Sequence, residues 1–455
     1  MKKSTNYVLA LVLFANLISL GAFAQANPVP YAYTIKAEDL KKHLTFIASD
    51  SLKGRNTGSA EQKVAANYIA DHFKKSGLAP VNGSYFQKVD LVNRSWTQVA
   101  LSIKGKSYDY LGQFMANALA PVAADSKFPI VFAGFGVQQA GFTDFDKLNA
   151  KGKYVLAFDG EAKDAAGNYV LSGTKDPSAF GKGDGWKEKL KRAQGVGAKG
   201  LILISDKTEK DFGNQLRQRQ VMMQRFGNER MVFADVAASP NEAPVLLISS
   251  AMAAEILGTT EADLLAYKAS VAAAKKSMPS KYKASSVSLT IERTEKPVDT
   301  YNVVGYLEGT DKKDEVVILT AHYDHIGISF DGKINNGAND DGSGTVTVME
   351  LAEAFGKAAA EGKRPRRSIL FMTVTGEEKG LLGSEWYSNH PLFPLANTVC
   401  DINTDMTGRY DDEHMGKPDY IYEIGSDKLS STLREILVEQ NKKHVGLELD
   451  FRFND

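Results

Sequence analysis

The first clear periodicity is helical. In residues 35–48, Leu40, Leu44 and Ile47 share one face, and a second helix follows with Ser59 and Gln62 as a capping box. Val64, Tyr68, Ile69 and Phe73 form its apolar stripe, Gly77 supplies the stop, and residues 54–59 between the helices read as a turn. Alternation over 85–92 and 99–103 predicts strands. From about Phe128 the texture changes to short apolar strands at 129–135, 154–158, 200–204 and 244–248, separated by glycine and charged loops. The polar run 215–230 reads as a solvated loop or helix, and the lysine-rich segment 275–283 closes this block. Strand character resumes at 287–291 and continues at 302–307, 316–320, 368–374, 399–405, 420–424 and 447–451, with helices after Gly342 and over 429–441. This alternation predicts an α/β fold: a mixed, largely parallel sheet flanked by helices, with a smaller α/β unit inserted. The expected division is 25–110 with 285–455 for the main domain and 111–284 for the insertion.

Composition narrows the functional classes. A chain of 455 residues suggests about three domains, or one large domain with an insertion. Lys+Arg and Asp+Glu balance at 55 each, with no long run of one sign, so no nucleic-acid partner is expected. Residues 1–24 read as a secretory signal peptide: Lys2 and Lys3, an apolar stretch over 7–20, then Ala22-Phe23-Ala24 before Gln25. The expected location is periplasmic or extracellular. Cys400 is the only cysteine, which leaves no internal disulfide and no early lipid-anchor site, and no stable membrane anchor is expected. In its apolar run Cys400 reads as a buried small hydrophobe.

Candidate chemistry sits in the last third. A β-branched run, 316–319, leads into His322-Tyr323-Asp324, so an imidazole and a carboxylate emerge where a buried strand ends. Asp340-Asp341 follows among Gly337, Gly342 and Gly344, directly before a helix carrying Val348, Met349, Ala352 and Phe355. Glu377-Glu378 and Asp405 also closely follow apolar runs. Together these groups are suited to two divalent ions sharing a bridging group, with one uncoordinated carboxylate left to take a proton from water. Taken singly, each also fits an ordinary surface histidine or an acidic turn. Asp324 is placed to hold the imidazole of His322 from behind. His325 is the weaker ligand candidate, because close neighbours on an extended segment point apart. Residues 195–200 match the dinucleotide fingerprint G-x-G-x-x-G but follow a helix and open a strand, the reverse of what that motif requires. There is no G-x-S-x-G, H-E-x-x-H or P-loop.

At these residues the chain resembles a known family. His322-Tyr323-Asp324-His325, residues 337–344, residues 376–384 and Asn403-Thr404-Asp405-Met406 look like the motifs of the dizinc aminopeptidases that include bacterial leucyl aminopeptidase and aminopeptidase Y. His43-Leu44, Gly54-Arg55, Gly58-Ser59 and 65–78 resemble that family's entry helices. Segments 130–137, 152–156 and 197–206 are similar to an inserted protease-associated domain. The resemblance implies a zinc-exopeptidase-like fold and a secreted enzyme that hydrolyses the N-terminal residues of peptides with a water held between the metals. It also implies two divalent ions, zinc by family although cobalt or manganese suit such ligands. His322 and Asp405 would hold one ion, Glu378 the other, Asp340 would bridge both, and Glu377 would be the general base. The bond after Asp340 is expected to be cis. The family's remaining ligand, a histidine well after Asp405, has no counterpart in the expected context: His414 lies in a polar turn and His444 just past a helix. The chain is therefore read as C-terminally incomplete beyond Asp455. The alternatives are a carboxypeptidase or cyclotransferase on the same scaffold, or a peptide- or glycan-binding protein impaired by the missing histidine.

Overall fold

Strands that are apolar on both faces need cover on both sides, and this requirement organises the part of the chain that carries the candidate site. The computed structural model describes residues 27–139, 141–146, 148–226, 229–235, 242–279, 282–417, 419–428 and 430–454; the stretch read as a signal peptide lies outside them. The chain forms two units, one from the residues up to Asp90 and from Asp299 onward, the other from Leu91–Val298.

In the first unit, β1 (Phe86–Lys88), β2 (Tyr301–Leu307), β3 (Lys312–His322), β4 (Arg367–Val374) and β5 (Thr398–Asn403) form one sheet in the order β1-β2-β4-β3-β5. β3 is parallel to β4 and β5, while β1, β2 and β4 pair antiparallel, so the sheet is mixed. Three helices cover one face: α1 (Ala37–Ile47), α2 (Ala60–Lys75) and α3 (Gly344–Ala360). Ile69, Phe73, Met349 and Ala352 pack there with Val303, Leu319 and Phe371. The residues that alternate with these, Val304, Ile318, Leu370 and Met372, pack on the other face against Val81 and Tyr387. The capping box of α2 forms by half: Ser59 Oγ accepts the Gln62 N–H at 3.0 Å, whereas Gln62 Oε1 accepts from Gly58 N–H at 2.7 Å.

Parallel pairing sets His322 opposite Val374 and Thr320 opposite Asn403. The residues following β3, β4 and β5 therefore leave the sheet at one edge, where α/β proteins place their sites. β5 is an edge strand with Val399 and Ile402 about half exposed, and Cys400 is only partly buried. The apolar run that suggested a buried thiol has a strand partner on one side only. The strands read at 420–424 and 447–451 shorten to Tyr420–Tyr422 and Glu448–Asp450 and pair with each other in a separate two-stranded sheet.

α3 starts at the site and carries a buried carboxyl, Glu350, whose Oε1 lies 3.3 Å from His43 Nε2 on α1. His43 Nδ1 meets the Tyr68 hydroxyl at 2.8 Å. Burial, helped by Glu353 and Asp39, pushes Glu350 up to about 7, and burial with His72 and Lys42 nearby pulls His43 down to about 4. Between about pH 4 and pH 7 both members of the pair are therefore mainly neutral. A carboxyl raised in the folded state stabilises fully below its unfolded value and loses that contribution as pH rises through 7. The melting temperature of Glu350→Gln relative to wild type should accordingly improve between about pH 5 and pH 8. A difference that stays flat across this range in parallel thermal melts would show that Glu350 is already ionised at low pH.

The second unit has a five-stranded sheet in the order Phe114–Ala118, Val245–Ile248, Gly200–Ile204, Tyr154–Phe158, Ile130–Phe132. Gly200–Ile204 pairs parallel to the strands on both sides, and all its residues are buried. The glycine match at 195–200 lies between helix Gly185–Gly195 and this strand, in the order opposite to a dinucleotide site. A second sheet is built on Leu91–Ile103, antiparallel to Val287–Val298 from Leu91 against Val298 to Ile103 against Val287. That long ladder belongs with the insertion, so the unit's edges lie at Leu91 and Val298, outside the 111–284 read from texture. Among the described residues no helix is long and apolar enough to cross a membrane.

Candidate metal centre

β3 ends at His322, and the imidazole is fixed from both sides of the backbone. Its Nδ1 lies 3.0 Å from the Asp324 carbonyl, and its own carbonyl accepts from Thr345 Oγ1 at 2.7 Å. Nε2 then faces carboxylates: Asp340 Oδ1 at 3.1 Å, Asp405 Oδ2 at 3.7 Å and Glu377 Oε2 at 3.8 Å. Asp324 thus orients the ring mainly through its carbonyl, since its carboxylate is 3.8 Å from Nδ1. That carboxylate, fully buried, accepts from Thr57 Oγ1 at 2.7 Å and from Glu377 N–H at 3.2 Å, so it ties the end of β4 to the end of β3.

The glycine loop brings Asp340 in. Gly337 has φ +60°, and a Cβ there would lie 2.6 Å from the His325 ring; a Cβ on Gly344 would lie 2.1 Å from the Thr404 carbonyl. Only glycine lets the backbone approach so closely. The Asp340–Asp341 bond is cis. Asp341, fully buried, accepts from three backbone N–H groups: His322 at 3.2 Å, Gly344 at 2.8 Å and Met406 at 3.3 Å. It therefore joins the strand end, the start of α3 and the loop bearing Asp405.

His325 also reaches the site. Its Nδ1 is 2.6 Å from Glu378 Oε1, and His325, Asp340 and Glu378 form one group of potential ligands, with His322, Asp341 and Asp405 forming another. The extended-chain reasoning that disfavoured His325 fails because β3 stops at His322 and the chain then turns, with the His325 N–H donating to the Arg55 carbonyl at 3.2 Å. Asp340 sits beside both histidine groups. His414 lies elsewhere, stacked on Tyr420 at 3.6 Å with Nδ1 2.8 Å from Asp411, and His444 is the last residue of helix Leu433–His444.

Arg55, read only as part of a turn, is wholly buried beneath the site. Nε donates to the Tyr323 carbonyl at 2.8 Å, Nη1 to Ile47 at 2.5 Å and Asn336 at 2.7 Å, and Nη2 to Gly337 at 2.9 Å. It clamps α1 to both loops that carry ligands. Burial lowers it to about 10, opposed by Asp324, Asp341 and Asp340, so it stays charged.

The electrostatics call for a cation. Burial opposes charge on His322, yet Asp324, Asp341, Asp405 and Glu377 together hold it above the ordinary imidazole value. Burial raises Asp405 and Glu377, and raises Asp341 to about 8. The nearness of His325 holds Glu378 below the usual carboxylate range. His322 Nε2, His325 Nδ1 and Glu378 Oε1 are buried, and none has a partner in hydrogen-bonding geometry despite the short distances. Lone pairs turned toward one another in a desolvated site are costly unless a cation lies among them. Imidazole and carboxylate donors are those zinc takes, so the residues fit such an ion.

Residues 302–449 match the Peptidase family M28 model. A curated relative from Arthroderma benhamiae, named "Probable glutamate carboxypeptidase", is 38% identical over 113 residues, 24% of this chain and 14% of its own length. A "Probable zinc metalloprotease" of Leptosphaeria maculans is 34% identical over 114 residues, 25% of each chain. The matched stretch thus spans a quarter or less of these relatives. Among solved structures, an aminopeptidase from Aneurinibacillus sp. strain AM-1 superposes with a TM-score of 0.47 at 17% identity, covering 92% of this chain and 81% of that one.

Proposed function

Because residues 302–449 match the model of peptidase family M28, we propose that this chain is a zinc-dependent exopeptidase that removes N-terminal residues from peptides and holds two metal ions. The observation that carries the reading is the meeting of His322, Asp341 and Asp405 in one ligand group and His325, Asp340 and Glu378 in another, with Asp340 Oδ1 also 3.1 Å from His322 Nε2 and Glu377 beside them. In this reading residues 91–298 are an inserted protease-associated domain.

Bound zinc would polarise the scissile carbonyl and lower the pKa of water. The chain supplies the rest. His322 and Asp405 would hold one ion and Glu378 with His325 the other, while Asp340 joins the two. Glu377, raised by burial and only partly exposed, accepts the proton of the attacking water at its carboxylate and returns it to the departing amine. Asp324 keeps Glu377 in place through its backbone N–H. Removal of His325 tests the ligand assignment: His325→Ala should retain about one zinc per chain where wild type retains about two. Equal metal content in both proteins, measured after desalting, would remove His325 from the set.

The amino-terminal direction rests on the resemblance of four motifs to aminopeptidases. One observation favours the carboxypeptidase alternative. The cleft beside Asp340, about 370 Å³, is lined by Leu44, Ala338, Met406 and Arg409, and an arginine there suits a substrate carboxylate. A tetrapeptide offered with a free amino end, N-acetylated, or C-amidated separates the two. Cleavage abolished by acetylation and indifferent to amidation is the expected result; the reverse pattern would establish the carboxypeptidase.

A further inference from the structure

The metal-centre chemistry leaves unused a groove in the inserted unit, about 600 Å³ in volume, where strand Leu91–Ile103 faces the helix Glu209–Phe226. That volume is of the size that takes a ligand of several residues' bulk. Trp96, Tyr110, Met115 and Met222 supply an apolar lining of the aromatic and thioether kind that dominates recognition surfaces, with Arg219 and Glu229 beside them. Two further features define the ligand that fits.

The first is a strand edge. On one side Leu91–Ile103 pairs with Val287–Val298, with one register shift at Thr97, between Glu292 and Arg293. On the other side Glu229–Phe233 pairs with it only as far as Ser95, and Lys106–Asp109 takes over only from Ala100. Between them Thr97, Gln98 and Val99 meet no strand on that side among the described residues, and all three line the groove. An edge of this kind presents backbone N–H and C=O groups to an incoming extended chain.

The second is charge. The Glu229 carboxylate is already engaged, accepting from the Asn93 amide and from Ser95 Oγ at 3.2 Å. Arg219 is exposed and has no carboxylate partner among the described residues. Its guanidinium fork matches a carboxylate in two parallel hydrogen bonds.

We propose that this groove binds an extended apolar peptide as an added strand against residues 97–99, with the peptide's free C-terminal carboxylate on Arg219. The backbone edge selects a peptide over a simple apolar acid, and the lining selects large apolar side chains. None of the groove's lining residues is among the potential metal ligands, so binding there needs no turnover.

The test uses the full metal-loaded protein and N-acetyl-Leu-Val-Phe with a free carboxylate, with the peptide checked for integrity by mass spectrometry. Binding is followed by calorimetry and by tryptophan emission, to which Trp96 contributes. The acid should bind saturably, and its C-terminal amide at least about tenfold more weakly. Arg219→Gln should bring the acid down to the level of the amide, and N-methylation of the valine amide should weaken the acid by a similar factor. Failure to saturate at millimolar peptide would overturn the proposal, as would equal binding of acid and amide or an unchanged affinity in Arg219→Gln. Decanoate binding as tightly as the peptide would reassign the groove to apolar acids and overturn the strand-addition claim.

Discussion

Glu377→Gln is expected to lower peptide turnover by at least about a hundredfold while zinc content stays at the wild-type level. The substitution keeps the shape of the side chain and removes only its ability to accept a proton. The backbone of residue 377 is held independently, through its N–H to Asp324 Oδ1 at 3.2 Å, so the loop should not move. Glu377 Oε2 lies 3.8 Å from His322 Nε2, near enough to the ligand groups to reach a water held there. Burial raises this carboxyl, and Glu378, Asp324 and Asp405 add to that against the pull of His322, which brings it closer to the acidity a base needs near neutral pH. Turnover within about tenfold of wild type, with metal retained, would remove Glu377 from the proton path.

The second large effect belongs to Arg55. Arg55→Met would strip the guanidinium donors from the carbonyls of Ile47, Tyr323 and Asn336 at once, while the Gly337 carbonyl keeps the Gly342 N–H at 3.0 Å. Each unsatisfied buried group costs about 1–3 kcal/mol. Allowing for local relaxation, the melting temperature should fall by on the order of 10 °C, and zinc should dissociate more readily. Arg55→Lys keeps the charge, but its single ammonium cannot span acceptors on both ligand loops and α1, so it should recover only part of the loss. A melting temperature for Arg55→Met within a degree or two of wild type would show that water or neighbouring groups take over those carbonyls.

Much of the site was legible because its signals are local. A β-branched run announces a strand, and parallel strands deliver the residues after them to one edge, so His322, Glu377, Glu378 and Asp405 could be grouped before any geometry was known. The features that escaped were non-local or hinged on where a strand stops. His325 looked misdirected only if the chain stayed extended past His322; the nearby Gly327 was the available hint of a turn. Asp341 resembled a duplicate of its neighbour, and nothing in its surroundings along the chain reveals that it collects three backbone N–H groups from distant segments. Arg55 is more than 260 positions from the Tyr323 carbonyl it holds. Residues 91–92 and 99–103 alternated plainly as strand, yet which sheet they join depends on their partner, Val287–Val298, and alternation is silent on that. Cys400 illustrates the same limit, since an apolar run does not tell a central strand from an edge.

The sheet that holds the ligands takes β1 from before the inserted unit and its neighbour β2 from after it. A ribosome therefore releases roughly two hundred residues of the continuous unit between the two halves of the other, a delay of tens of seconds at about 5–20 residues per second. During that interval α1, α2 and Arg55 lack β2 to β5 and the carbonyls of Tyr323, Asn336 and Gly337. The later-completed half is thus the one that carries the chemistry, and nascent helices with bare apolar stripes are the species a chaperone would meet first.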